Sequence, residues 1–505
     1  MKIVSLVAQV GLLASTAFSA AILQKVEERQ VQPISTVTGP AGTSYIYAFA
    51  SPIPDNIASQ LVVSVPAVPT VATSVPPAVN VSNTPDGEDS AGSYTPGFRN
   101  IGYYGSWYIY ARQFNPSDLI ISQWTHVLVG FWDIKPNGEV FTKDNWSDFD
   151  ITTLSPEPSK ETGALNGVFE QMFRLKTENR NLKVMLSIGG WAATSEGAWG
   201  AALATAEQRA TFAKSATRAV IDLGLDGIDL DWEYPRNPAE TEMHVDSLRL
   251  LRQELDSAER ILGVKRKLLL SIAAPAGPHF IAKINIPEVN KYVDFFNLMS
   301  YDMGGSFSKV ATHAAPFFMA TDGSTEFCLV DGLEMYLAAG VPASKINVLS
   351  PIYGHSFAGT DGPGKPFTGP GFSSWTDPNG VPDYNLIVTG GATEVFDDEK
   401  ILASWSYNKQ TREMISFDIP KIVRLKTEYL MSRGMGGIGF WAINGDKLDA
   451  SENLVNTAIK VLGGRSAFEQ YKNHLLYPDS KYPNIRVPDG IRVPPRKTLI
   501  GEVAK

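Results

Sequence analysis

Acids alternate with apolar residues along Leu225-Asp226-Gly227-Ile228-Asp229-Leu230-Asp231-Trp232-Glu233-Tyr234-Pro235. In a strand, alternate residues share a face, so Asp229, Asp231 and Glu233 line up on one side. Ile228, Leu230 and Trp232 then point the other way, toward a packed layer. Like charges this close cannot all ionise freely, so at least one pKa must rise. The plain alternative is an edge strand with a solvated acidic face. The bulk of Ile228, Leu230 and Trp232 opposite argues against it. Carboxyl groups so paired suit glycoside hydrolysis, where one acid protonates the leaving oxygen while another group stabilises an oxocarbenium-like carbon. Glu233 is outermost and best placed as proton donor. Asp231 neighbours it and can share its proton, keeping Glu233 protonated near neutral pH.

Positioning such a row takes a rigid scaffold. Short apolar runs recur at Ile101 to Tyr104, Thr125 to Trp132, Leu182 to Ile188, Gly227 to Trp232, Leu268 to Ala273, Val293 to Met299, Ile346 to Ile352 and Gly437 to Trp441. They read as buried strands. Amphipathic stretches separate them. One carries Leu248, Leu251, Leu255 and Leu262 on one helical face, and another runs from about Ile419 to Arg433 and stops at Gly434. Eight strands alternating with helices predict an α/β fold, a (β/α)8 barrel, although a doubly wound sheet gives a similar pattern. In a barrel, Pro235 would end the acidic strand just past Glu233 and leave that acid at the C-terminal mouth, where barrel active sites form. The stretch from Tyr353 to Ser416 is too long for a loop, and its alternation predicts a small β-rich insertion after strand seven, at about 355–415.

The rest of the chain bounds the function. Residues 1–20 read as a signal peptide: Lys2, an apolar run from Ile3 to Ala14, then small residues. The run is short for a membrane span, so the chain is expected to be secreted, to the extracellular space or cell wall. Residues 21–97 are rich in Pro, Ser, Thr and Val and read as an extended stalk, or else an unprocessed pro-region. The catalytic unit is set at 98–465 and a basic, Pro-containing tail at 466–505. Asn80 and Asn145 begin glycosylation sequons. The net charge of −9 argues against nucleic acid as partner. A single cysteine, Cys328, and scattered histidines give no metal-ligand spacing, so neither metal nor other cofactor is expected. The protein is expected to act as a monomer.

At the acidic row the chain resembles family 18 glycoside hydrolases. Asp226-x-x-Asp229-x-Asp231-x-Glu233 looks like their signature, and Tyr234-Pro235 is typical of their chitinases. Ser187-Ile188-Gly189-Gly190-Trp191, Met299-Ser300-Tyr301-Asp302 and Tyr353-Gly354 resemble the family's motifs on strands three, six and seven, in order. Stretches such as Leu182 to Ser187 and Ser271 to Pro278 look like secreted fungal class V chitinases. The resemblance runs from about Asn100 to Gly464. It implies a retaining, substrate-assisted cleavage of β-1,4 links between N-acetylglucosamine units in chitin, and an α+β character for the insertion. It also implies roles. Glu233 would be acid and then base. Asp231 would turn between Asp229 and the acetamido nitrogen. Tyr301 would bond the acetamido carbonyl, Asp302 would steady the same sugar, and Trp441 would form the floor. Tyr103, Phe131, Trp191 and Met299 would line further subsites.

Trp132 follows Phe131 where a smaller residue is more usual. Two further positions depart from the fungal pattern: His355 stands where Arg is usual, and Ala442 where Glu is usual. Both bear on subsite preference. His355 reads as a hydrogen-bonded residue at the site's edge. Among tryptophans, Trp441 and Trp191 are expected to stack on sugar, ahead of Trp107, Trp375 and Trp405. Gly189-Gly190 reads as a tight turn, since no Lys-Ser/Thr follows for a phosphate. Two other functions fit the same motifs. One is a silent chitin-binding lectin, which the presence of Glu233 disfavours. The other is an endo-β-N-acetylglucosaminidase acting on glycoprotein glycans, which Trp232, Tyr234-Pro235 and the large insertion disfavour.

Overall fold

The computed structural model describes residues 94–486, apart from 156, 157, 160, 196, 264–266 and 375–377, together with the backbone of 33–39 and 42–47. The signal-peptide reading at 1–20, most of 21–97 with the Asn80 sequon, Trp375 and the tail beyond Arg486 lie outside the described residues. Within the stretch read as a stalk, Pro33–Gly39 and Gly42–Tyr47 pair as an antiparallel hairpin.

Eight parallel strands close into a barrel: β1 (Arg99–Gly105), β2 (His126–Ile134), β3 (Lys183–Gly189), β4 (Gly227–Asp231), β5 (Leu269–Pro275), β6 (Phe295–Met299), β7 (Ile346–Pro351) and β8 (Gly437–Trp441). Each pairs with its sequence neighbour, and β8 closes onto β1. The doubly wound alternative is thereby removed. Pairing of Ser187 with Asp229 and of Asp229 with Ser271 aligns polar residues of β3, β4 and β5 on one level inside the barrel. Ile228, Leu230 and Trp232 face outward into the large core between strands and helices. Ile101, Leu128, Met185 and Leu349 form a smaller apolar cluster within the barrel.

The longer helices are α1 (Gly167–Glu178), α2 (Ala206–Leu223), α3 (Pro238–Leu262), α4 (Leu329–Ala338), α5 (Pro420–Ser432) and α6 (Leu454–Val461). Local chemistry sets the ends of α3. The Asn237 side chain accepts from the Glu240 N–H at 3.0 Å and Pro238 takes the first turn. Its Leu248, Leu251 and Leu255 are fully buried, as the periodicity predicts.

After β7 an antiparallel five-stranded sheet is built from His355–Ala358, Gly369–Pro370, Thr393–Asp398, Ala403–Asn408 and Glu413–Ser416. Its described helical content is one 3-10 turn, Tyr384–Leu386. The segment read as a tail packs under the barrel as far as Arg486, because it buries Phe468, Tyr477 and Ile485. Asn473 ties it down, donating to the carbonyls of Lys176 at 2.9 Å and Leu182 at 2.7 Å. Among the described residues no helix is long and apolar enough to cross a membrane.

Candidate active site

The three acids of β4 and its end stand at three depths. Asp229 is deepest and fully buried. Its Oδ1 accepts from Ser271 Oγ at 2.6 Å and Asn297 Nδ2 at 3.1 Å. Its Oδ2 accepts from Ser187 Oγ at 2.8 Å and the Tyr103 hydroxyl at 3.0 Å. Burial raises its pKa, and these four donors pull against that. Tyr103, read as a subsite residue, thus sends its hydroxyl to Asp229. The rest of this shell, Ser187, Ser271 and Asn297, was not singled out from the sequence. Its signal is register: each lies on a strand near β4 and faces the same interior.

Asp231 sits next, 3 % exposed. Its buried Oδ1 has no hydrogen-bond partner among the described residues. Burial, then the charges of Glu233 and Asp229, push its pKa well above the carboxylate range. A buried polar atom left unpaired costs stability, so Asp231 has room to take a further hydrogen-bond donor.

Glu233 lies two residues past the end of β4, at the barrel mouth and half-buried. The Thr194 hydroxyl brackets its backbone, 3.0 Å from the Glu233 nitrogen and 3.2 Å from its oxygen. Burial first, then the charge of Asp302, raise its pKa to about 8; the Tyr234 hydroxyl and the Trp191 backbone N–H oppose that rise. A carboxyl with this pKa is protonated at neutral pH and can give its proton away. Gly189 and Gly190 make the approach possible. Both have positive φ, at 120° and 80°, and a Cβ on Gly189 would strike the Asp231 carbonyl. The tight-turn reading of this pair fits.

Tyr301 and Asp302 follow β6. Asp302 has φ 53°, and its Oδ1 accepts from the Tyr353 hydroxyl at 2.6 Å and meets His355 Nε2 at 2.8 Å. Burial, then Asp231 and Glu233, raise the Tyr301 pKa, so its hydroxyl stays protonated and able to donate. Met299 closes the top of β6 and is buried. Trp441 ends β8. Its ring stacks on Phe131 at 5.5 Å and 24°, and Phe131 in turn stacks on Trp107 at 6.1 Å and 30°. Trp107 follows the C-terminal end of β1 and is 40 % exposed, so the outer end of this row meets solvent. Trp191 is 44 % exposed at the start of a short helix after β3, outside this row of rings. Trp405 instead stacks on Phe396 within the inserted sheet at 5.6 Å. Non-proline cis peptides occur at Gly130-Phe131, Glu233-Tyr234 and Trp441-Ala442, each beside a site residue. Among the described residues no group of three or more His, Cys, Asp or Glu is placed to hold a metal ion.

The Asp229 cluster yields a stability prediction. Asp229→Ala leaves four buried donors without their shared acceptor. The loss is expected to be at least about 1–3 kcal/mol, the scale for leaving a buried polar group unsatisfied. Thermal unfolding should show a large drop in Tm, and a Tm within a degree of the parent would show that the cluster re-pairs without Asp229.

A closed parallel barrel with a protonated carboxyl at its C-terminal mouth, above a second acid and a row of aromatic rings, is the architecture of a glycoside-cleaving enzyme. Residues 99–446 match the model for Glycosyl hydrolases family 18, and the chain belongs to that family. Endochitinase 1 of Metarhizium robertsii is 41 % identical over 398 residues, covering 78 % of this chain and 92 % of the relative. Chitinase 1 of Aphanocladium album is 39 % identical over 392 residues, covering 77 % and 90 %. Among solved structures, the catalytic domain of psychrophilic chitinase B from Arthrobacter TAD20 superposes with a TM-score of 0.66 at 25 % identity, covering 73 % of this chain and 96 % of that one.

Proposed function

We propose that the protein hydrolyses β-1,4 links between N-acetylglucosamine units of chitin and chito-oligosaccharides, with retention, by internal attack, and by an endo mode. The observation that carries this is the unpaired Oδ1 of Asp231, set between a fully bonded Asp229 and a protonated Glu233. Asp231 ends β4 and Glu233 follows two residues on, on the same side of the site, so Asp231 is badly placed to attack the opposite face of the sugar. It is well placed to hold an N–H.

The steps follow from that placement. Glu233 donates its proton to the bridging oxygen, and the bond from that oxygen to the anomeric carbon breaks. The acetamido carbonyl oxygen of the same sugar attacks the anomeric carbon from the other face and forms a cyclic oxazolinium ion. Substrate assistance of this kind is the established exception to the two-carboxylate scheme in this family. Asp231 accepts the acetamido N–H on its free oxygen. Tyr301 donates to the acetamido oxygen. Glu233, now ionised, takes a proton from water, and that water attacks the anomeric carbon and opens the ring. Two inversions at one carbon leave the β-anomer. Trp441 offers an apolar face under the reacting sugar, and the stack continues through Phe131 to the exposed Trp107. Asp302, held by Tyr353 and His355, bonds the sugar's outer hydroxyls. Met299 and Trp191 line adjoining positions.

The identity of the relatives supports chitin as substrate, the pattern at 1–20 supports secretion, and the packing of Phe468, Tyr477 and Ile485 extends the catalytic unit from about 98 to 486. The test is product analysis. Chitohexaose should be cut internally to dimers, trimers and tetramers. Release of only monomer would overturn the endo mode. Inertness toward chitohexaose with cleavage of a high-mannose glycopeptide would overturn chitin as substrate.

A further inference from the structure

The row Trp107–Phe131–Trp441 draws on three elements: Trp107 from the loop after β1, Phe131 from within β2, and Trp441 from the end of β8. Trp107 lies in the 3-10 turn Ser106–Ile109 after β1, and Trp441 is followed by the 3-10 turn Ile443–Gly445. These turns meet at one carboxylate. Asp383, in the insertion after β7, pairs through Oδ2 with Arg112 of the β1 loop. The same oxygen accepts from Asn444 Nδ2 of the β8 loop at 3.3 Å. The backbone around Asp383 is itself anchored to the end of β7. Gly354 N–H donates to the Pro382 carbonyl at 2.8 Å, Tyr384 N–H donates to the Ile352 carbonyl at 3.1 Å, and Asp383 N–H donates to Ser374 Oγ at 2.7 Å. The Arg112 guanidinium also lies over the Tyr108 ring, 5.0 Å from its centre, and Tyr108 packs edge-on against Trp107.

We infer that the Arg112–Asp383 ion pair, with Asn444, is a positioning device that holds Trp107 and Trp441 in one row for a substrate longer than the sugars at the scissile bond. The inference rests on the chitinase reading and names residues that act through the rings. The pair is mostly buried, with side-chain exposures of 24 % and 10 %, so salt screens it little. A bidentate-capable guanidinium fixes direction better than an ammonium. Removing it frees the β1 turn relative to the insertion and the β8 loop, and the stack from Trp441 through Phe131 loosens at its Trp107 end. A short substrate that fills only the reacting position rests on Trp441, which the end of β8 itself holds in place, and loses little.

Arg112→Met tests this, because Met keeps much of the stem that covers Tyr108 and removes the charge. KM for chitohexaose should rise about tenfold, the scale of a lost charged hydrogen bond. KM for an aryl N,N′-diacetylchitobioside should stay within about twofold, on the same reasoning. kcat on both and the melting temperature should change little, and Arg112→Lys should recover part of the hexaose KM. An unchanged hexaose KM, or an equal loss on both substrates together with a lower melting temperature, overturns the inference. If Arg112→Met does not fold, the ratio of the two KM values in Arg112→Lys and Asp383→Asn decides in the same way. If the parent protein cleaves neither substrate, the chitinase reading fails first. Hexaose affinity, read by tryptophan fluorescence in a Glu233→Gln background, then tests the positioning role alone.

Discussion

Glu233→Gln is expected to lower kcat on chito-oligosaccharides by about 10²–10⁴-fold, the range that general acid–base catalysis contributes. The amide occupies the same space and cannot donate a proton to the leaving oxygen. Substrate affinity should survive, since the rings and Asp231 are untouched. The same substitution should stabilise the fold, and the sign follows from linkage. The folded-state pKa is about 8, above the ordinary 4.5. Between these values the native state holds a proton that the unfolded chain has lost, so the parent loses stability as pH rises from about 4.5 to about 8. Glutamine does not titrate, so the Tm advantage of Glu233→Gln should grow with pH across that window. The parent's kcat/KM should fall above about pH 8, as the acid is lost. A variant with near-parental turnover, or a Tm difference flat with pH, would contradict the role of Glu233.

Removing the acetyl groups from the substrate should have an equally large effect. Fully deacetylated chito-oligosaccharides keep the linkage and the ring, and therefore the target of Glu233. They lack the carbonyl oxygen that attacks, and they bring an ammonium group where Asp231 expects an amide N–H. Hydrolysis should be undetectable, whereas a conventional carboxylate nucleophile would still give measurable cleavage. Partly acetylated polymers should be cut only where the sugar on the nonreducing side of the broken bond carries an acetyl group. Sequencing of the products by mass spectrometry reads this directly, and products ending in glucosamine would contradict internal attack.

The barrel was legible because each strand is a continuous apolar run between polar stretches. Gly437–Trp441 is bounded as the run suggests, and β4 stops at Asp231 rather than continuing to Glu233. The acidic row was legible because period two survives in any strand. What the sequence hid was depth. Alternation says that Asp229, Asp231 and Glu233 share a face, but not that one is wrapped by four donors and the next has a bare oxygen. That difference comes from register with β1, β3, β5 and β6, which one strand's pattern does not carry. The packing of residues 466–486 was hidden for a related reason. Phe468, Tyr477 and Ile485 are isolated apolar residues in a polar stretch, and single anchors leave no periodicity to read. His355 was legible as a residue at the site's edge, and its contact with Asp302 gives the position a physical role.

The most direct measurement is the anomeric form of the first product. A fresh digest of chitohexaose, followed by proton NMR before mutarotation, resolves the α and β signals of the new reducing end. Internal attack on the anomeric carbon followed by water predicts β first, with α appearing only at the mutarotation rate. An initial α product would mean a single displacement by water, and would contradict the roles given to Asp231 and to the substrate's own acetamido group.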